Sequence, residues 1–295
     1  MTRRQLDFAV IGAQKCATSW LYYCLKDHPG IAVPETKHEL GYIGGAIQRE
    51  KGEEWFFDRF DAAPGQAMGD VSVEYLWDTA AARPLHAHMA DGGKLIVSLR
   101  HPVDRTVSGY FWHLRKGDLP NKPLEEGLAP ILEAKPGFPD PIAPPLGNAV
   151  ARSLYAGQLQ SYIDVFGAQN VKVVLYEDVA EDGLAVVQDI YRYLGVDDGF
   201  VPPSLNAAPK KNSYNRVLLA IENSTQSKVV AKLCNWAHQG LTMFSQRKDI
   251  LPRDIRRRLN RLFAPTVDDT VRVLAQLPES QRPSEARIRQ AWKLD

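Results

Sequence analysis

The chain has 295 residues, 44% of them hydrophobic, and Lys+Arg 36 against Asp+Glu 35 leaves a formal net charge of +1. That is ample for a buried core in one large domain or two small ones. The near-neutral balance argues against a dedicated nucleic-acid binder, so any anion site has to be local.

No window approaches the ~20 apolar residues of a membrane-spanning helix. The start, MTRRQLDFAVIGAQ, has two arginines but too short an apolar stretch for a signal peptide, and no small-residue cleavage site follows. The cysteines, Cys16, Cys24 and Cys234, are odd in number and lack metal-type pairing, so they read as free thiols of a reducing compartment. The expected location is cytoplasmic.

The first element is LDFAVIG, Leu6–Gly12, short and apolar almost throughout, as a parallel strand covered on both faces should be. From Thr18 to Lys26 the apolar spacing is helical, and DHPG stops it. GKLIVSLR, Gly93–Arg100, is a second buried strand. The segment after it, HPVDRTVSGYFWHLRKG, has a proline in its first helical turn and ends at Gly117. Lys116 to Gly147 carries eight prolines and is expected to be a long surface excursion, of the kind that forms a rim or lid.

NVKVVLYEDV, Asn170–Val179, reads as a third strand, followed by a helix from about Gly183 to Leu194 that GVDDG stops. The last hundred residues read as helical, and the arginines of RDIRRRLNRLF as a solvated helix face rather than a binding surface. Strands alternating with helices at these lengths imply an α/β fold with a central parallel sheet flanked by helices. The expected organisation is a single domain over 1–295, with an α/β core over 6–195 and a helical C-terminal part over 196–295.

The loop GAQKCATS joins the first strand to the first helix. A parallel strand delivers the chain to the carboxyl edge of the sheet, where open α/β folds bind ligands. The first turn of the next helix has unpartnered N–H groups and a positive dipole end, so an oxyanion fits there. Gly12, Ala13 and Ala17 are small enough for close approach, Lys15 adds a charge, and the hydroxyls of Thr18 and Ser19 can donate. The nucleoside-triphosphate loop G-x-x-x-x-G-K-[ST] is not matched, because Lys15 lies three residues before Thr18 and the second glycine is missing. An ordinary turn with a surface lysine fits the loop alone equally well. Arg100, at the end of its strand, can grip a phosphate with two parallel bonds. Taken alone, it would more simply pair with Asp104.

Together the two segments resemble a family. Strand–GxxKxxTxxL–helix, then strand–R-x-P-x-x-R-x-x-S-x-Y/W, is similar to sulfotransferases that use 3′-phosphoadenosine 5′-phosphosulfate (PAPS). The nearer likeness is to the bacterial and Golgi carbohydrate type, such as heparan sulfate sulfotransferases. The resemblance runs from about Leu6 to Leu194 and implies a P-loop-like fold with no metal. It places the 5′-phosphosulfate on Lys15, Cys16, Ala17, Thr18 and Ser19, and the 3′-phosphate on Arg100 and Ser108. KHELGYI resembles the family's KELHFF, which makes Glu39 the catalytic base, with His38 as the alternative, and Lys15 the cation facing the leaving oxygen. GDVSVEYLW matches at Ser72 and Tyr75, and RSLYAGQLQSY puts Tyr155 at a usual donor-site tyrosine.

The departures are Val71, in place of a common lysine, His101, in place of Asp or Asn, and Gly41 and Ile43, in place of aromatic residues. The implied partners are the donor, its product adenosine 3′,5′-bisphosphate (PAP), and a small-molecule or glycan acceptor, with neither nucleic acid nor a membrane span. The competing readings are a small-molecule kinase-like phosphate-loop enzyme and an inactive nucleotide-binding module. Lys210 and Lys211 either close over the nucleotide or lie in a solvated turn. His86, His88 and His113 read as surface or packing histidines.

Overall fold

β1 (Leu6–Gly12) is the middle strand of a five-stranded sheet in the computed structural model of the chain, which describes residues 4–35, 42–44, 46–206 and 251–293. It pairs with β3 (Ala67–Val71) on one side and β4 (Met89–Leu99) on the other; β2 (Ile31–Ala32) and β5 (Val171–Leu175) are the outer strands. Every pairing is parallel, with Phe8 opposite both Gly69 and Lys94, and Leu95 opposite Val171. Both faces are covered, which is why β1 and β5 are mostly apolar rather than alternating, with Asp7 and Lys172 the exceptions. A Cβ at Gly69 would lie 2.2 Å from Cζ of Phe8, so that ring needs the glycine opposite it.

The helices are α1 (Thr18–Asp27), α2 (Ala46–Phe57, broken at Gly52), α3 (Glu74–Trp77), α4 (Ala82–Ala87), α5 (Pro102–Lys116), α6 (Leu124–Leu132), α7 (Leu146–Ala151), α8 (Tyr155–Phe166), α9 (Tyr176–Leu194), α10 (Arg253–Leu274) and α11 (Glu285–Ala291). The chain divides into two compact units. The first comprises the chain through His101, the stretch from Leu154 that includes α8, β5 and α9, and Asp268–Lys293. The second comprises Pro102–Ser153 and the part of α10 up to Val267.

In the first unit, Phe8, Val10 and Ile96 of the sheet pack with Trp20, Leu21 and Leu25 of α1 and Val187, Ile190 and Tyr191 of α9. Cys16 and Cys24 are buried free thiols, and Cys234 lies outside the described residues. In the second unit, Phe138 packs on Phe263 with ring centroids 4.6 Å apart. Asp104 accepts from Arg256 at 2.6 Å, and Arg258 pairs with Glu125 at 3.3 Å. Two arginines of the C-terminal run are thus partly exposed and ion-paired as well.

Two expectations need correction. The proline-rich stretch is not simply a surface excursion, because it carries α6 and the first residues of α7 and buries Leu128, Ile131 and Leu146. Its prolines do not exclude helix: Pro123 and Pro145 stand immediately before α6 and α7, and Pro130 lies within the last turn of α6. The third strand ends at Leu175, and Tyr176–Val179 already belong to α9. Glu177 and Asp178 fall in its first turn, where the helix dipole favours acids. α9 breaks at Asp182, whose Oδ1 accepts from the Ala185 N–H at 3.0 Å, so the helix expected from Gly183 is the second, separately capped segment. Among the described residues, no helix is long and apolar enough to cross a membrane.

Candidate active site

β1 ends at Gly12 with φ +151°, where a Cβ would lie 2.9 Å from the Cβ of Leu76, so both conformation and space require glycine there. In the loop that follows, Lys15 (φ 72°) and Ala17 (φ 63°) are left-handed, with Cys16 between them outside that region. Alternation of this kind turns successive N–H groups towards one side and makes an anion-binding concavity. Left-handed backbone costs a residue with a Cβ about 1–2 kcal/mol, so surrounding contacts must hold it. Ser98 of β4 does so from both of its oxygens: its carbonyl accepts from Ala13 N–H at 2.8 Å, and its hydroxyl donates to the Cys16 carbonyl at 2.6 Å.

α1 starts from Ala17, whose carbonyl accepts from Leu21 N–H at 3.0 Å and whose side chain cannot cap the helix. The first-turn amides therefore have no capping side chain, at the positive end of the helix dipole. Thr18 is buried, Ser19 is exposed, and the Cys16 side chain is buried.

Arg100 follows β4, the strand beside β1. Its Nη1 lies 3.4 Å from the carbonyl of Lys15, and its guanidinium stands over the Tyr176 ring, 4.4 Å from the centroid. Stacking fixes the guanidinium plane and leaves its edge for bidentate contact. Tyr155, 1% exposed, donates its hydroxyl to the Arg100 carbonyl at 2.9 Å. Glu177 accepts from His101 N–H at 2.9 Å. Burial raises the Glu177 carboxyl above its ordinary value, against the lowering effect of its hydrogen bonds and the Arg100 charge.

At the end of β3, Val71 stands beside Asp70, which is 1% exposed and accepts from Tyr75 Oη at 2.5 Å and from Val71 N–H at 2.9 Å. Burial raises the Asp70 carboxyl, and both bonds oppose that shift. The hydroxyl of Ser72 is buried without a hydrogen-bond partner among the described residues.

Lys15, Cys16, Ala17, Thr18, Ser19, Arg100 and Tyr155 all belong to the first unit, with Arg100 against the loop. Ser108 lies on α5, in the second unit, and is partly buried. Glu39 and His38 lie outside the described residues, as do Lys210 and Lys211. The pairing of Arg100 with Asp104 is not what forms: Asp104 is held by Arg256. His88 is buried, with Nδ1 2.7 Å from the Pro84 carbonyl, and His113 lies 2.9 Å from Asp118, both in packing roles.

Sequence reasoning missed Ser98, Tyr176 and Glu177. Of these, only Ser98 had a signal, a lone hydroxyl in the otherwise apolar LIVSL. Arg105, the second arginine of the R-x-P-x-x-R pattern, was given no role; it is fully buried in the second unit, where its Nε donates to Ser153 Oγ at 2.6 Å and its Nη2 to the Ala149 carbonyl. A kinase-like site would want an acid at the strand end beside the loop. β4 leads into Arg100 instead, and Asp70 on β3 is engaged by Tyr75. Among the described residues, no group of His, Cys, Asp and Glu could hold a metal ion.

The family profile described as "Sulfotransferase domain" matches residues 5–229. Over 220 residues, 72% of this chain, the sequence is 24% identical to the bifunctional heparan sulfate N-deacetylase/N-sulfotransferase 4 of Mus musculus, covering 25% of that protein. It is 27% identical over 203 residues to heparan sulfate glucosamine 3-O-sulfotransferase 6 of Homo sapiens, covering 66% of this chain and 53% of that one. The chain thus spans about a quarter to a half of the length of these relatives. Among solved structures, a sulfotransferase from Alicyclobacillus acidocaldarius superposes with a TM-score of 0.65 at 26% identity, covering 96% of this chain and 98% of that one.

Proposed function

The chain belongs to the sulfotransferase domain family, and we propose that it moves a sulfuryl group from PAPS to a hydroxyl or amine of a carbohydrate, lipid or natural-product acceptor. The observation that carries this reading is the loop between β1 and α1, a left-handed alternation at Lys15 and Ala17 before an uncapped helix start, with Arg100 at its edge. That donor set is cationic and rich in N–H groups, which suits a nucleotide with phosphate at both ends. The names of the curated relatives favour a glycan acceptor.

In the proposed reaction the acceptor oxygen or nitrogen forms a bond to sulfur while the sulfur–oxygen bond to the 5′-phosphate breaks. The acceptor proton passes to Glu39, with His38 as the alternative base. Lys15 and the first-turn amides at Thr18 and Ser19 meet charge gathering on the departing phosphate oxygen. Arg100 holds the 3′-phosphate. As in phosphoryl transfer, the protein's main work is positioning and electrostatic stabilisation.

The test is transfer of labelled sulfate from PAPS to a panel of desulfated glycans, lipids and phenolic acceptors, with PAP release followed in parallel. Acceptor-dependent release supports the reading. Absence of release with every acceptor, together with equal affinity for PAP and adenosine 5′-monophosphate, overturns it.

A further inference from the structure

The peptide joining Arg100 to His101 is held at both of its polar atoms by side chains. Its carbonyl accepts from Tyr155 Oη at 2.9 Å, and its N–H donates to Glu177 Oε1 at 2.9 Å. The other oxygen of Glu177 accepts from Trp292 Nε1 at 3.2 Å. The Trp292 ring in turn packs on Tyr155, with centroids 6.0 Å apart at 40°. Tyr155, the Arg100–His101 peptide, Glu177 and Trp292 therefore form a closed ring of contacts.

Trp292 is 1% exposed and follows α11 directly. The end of that helix is pinned to the same place. The Lys293 carbonyl lies 3.2 Å from His101 Nε2, and Arg287 pairs with Asp178 at 2.6 Å and Glu181 at 2.8 Å on the first segment of α9.

A bidentate arginine grips a phosphate well only if its geometry is set before the ligand arrives, because freedom lost on binding subtracts from affinity. Tyr176 sets the guanidinium plane, and the closed ring sets the backbone from which the side chain springs. We propose that Trp292 is a positioning residue for Arg100, so that the C-terminal end of the fold sets the preference of the donor site for a 3′-phosphate. This rests on the donor reading given above.

The experiment is calorimetric titration of the full chain with PAP and with adenosine 5′-monophosphate, with a melting curve for each variant. Trp292→Phe keeps a ring against Tyr155 and removes the N–H to Glu177. PAP affinity should fall about tenfold, the scale of one bond to a charged group, while monophosphate affinity stays within about twofold. Tyr155→Phe removes the bond on the opposite side of the same peptide and should lower the same ratio. It decides alone if Trp292→Phe does not fold. A wild-type preference for PAP that both variants retain, whether the affinities hold or fall together, overturns the inference alone. A wild type with no preference overturns the donor reading and this inference with it.

Discussion

The hydroxyl of Ser98 donates to the carbonyl of Cys16 at 2.6 Å, and this bond ties the loop after β1 to the strand beside it. Ser98→Ala removes a hydrogen bond to a buried backbone carbonyl, which costs about 0.5–1.5 kcal/mol. It also removes support from the left-handed backbone on either side of Cys16. Urea unfolding should show a loss of that size, and titration should show weaker PAP binding. A variant with the predicted stability loss but wild-type PAP affinity would mean that the loop keeps its shape without Ser98.

PAP at ~100 times its dissociation constant should stabilise the fold by roughly 2.7 kcal/mol through mass action. Arg100→Ala should remove most of the extra stabilisation that PAP gives over adenosine 5′-monophosphate. Equal weakening of both nucleotides by the variant, read from thermal shifts, would make Arg100 a structural residue.

Lys15→Ala should separate binding from chemistry. If the lysine acts on charge that develops during transfer, turnover should fall on the order of 10²-fold or more, while PAP affinity changes by much less. Single-turnover kinetics beside titration provides the check. A loss of equal size in both would make Lys15 a binding residue only.

Glu39→Gln keeps the shape of the side chain and removes the proton acceptor. Turnover should fall on the order of 10²-fold or more, with donor affinity nearly unchanged, and His38→Ala should cost much less. The reverse ranking would move the base to His38, and wild-type turnover in both variants would leave this segment with a pocket-shaping role.

Asp70 predicts a pH dependence of stability. Burial raises its carboxyl in the folded chain, so the native state holds that proton more tightly than the unfolded one. Its contribution is fully present below the ordinary carboxylate value near ~4 and is lost as pH rises through the raised native value. Asp70→Asn cannot ionise, so its stability relative to wild type should improve as pH rises above the ordinary carboxylate value near ~4. Comparing the two proteins cancels the similarly raised Glu177, which both retain. A constant difference in urea unfolding free energy across that range would rule the effect out.

Much of the candidate site was written locally. LDFAVIG and LIVSL are apolar except for Asp7 and Ser98, and only a strand covered on both faces makes that pattern economical, so β1 and β4 could be read directly. The loop between β1 and α1 was legible because its small residues, its lysine and the helix start are contiguous, and Arg100 because it ends a strand. Other elements had no comparable local signal. β2 is two residues long, and β3 carries Gly69 and Asp70 at its centre, a glycine that makes room for Phe8 and an acid held by Tyr75.

What the sequence determined by itself is therefore the parallel α/β class, the family pattern and the residues available to hold an anion. Tertiary structure decided how those residues are held. Lys15 and Ala17 are left-handed with Ser98 bonded on both sides of the loop, and Arg100 lies on Tyr176. Tyr155 spends its hydroxyl on a backbone carbonyl, and Trp292 reaches Glu177 across 115 residues of chain. The physical reason is range. Helical and strand periodicity are set by neighbours a few residues apart and leave a trace in composition, whereas a single hydrogen bond between distant segments leaves none.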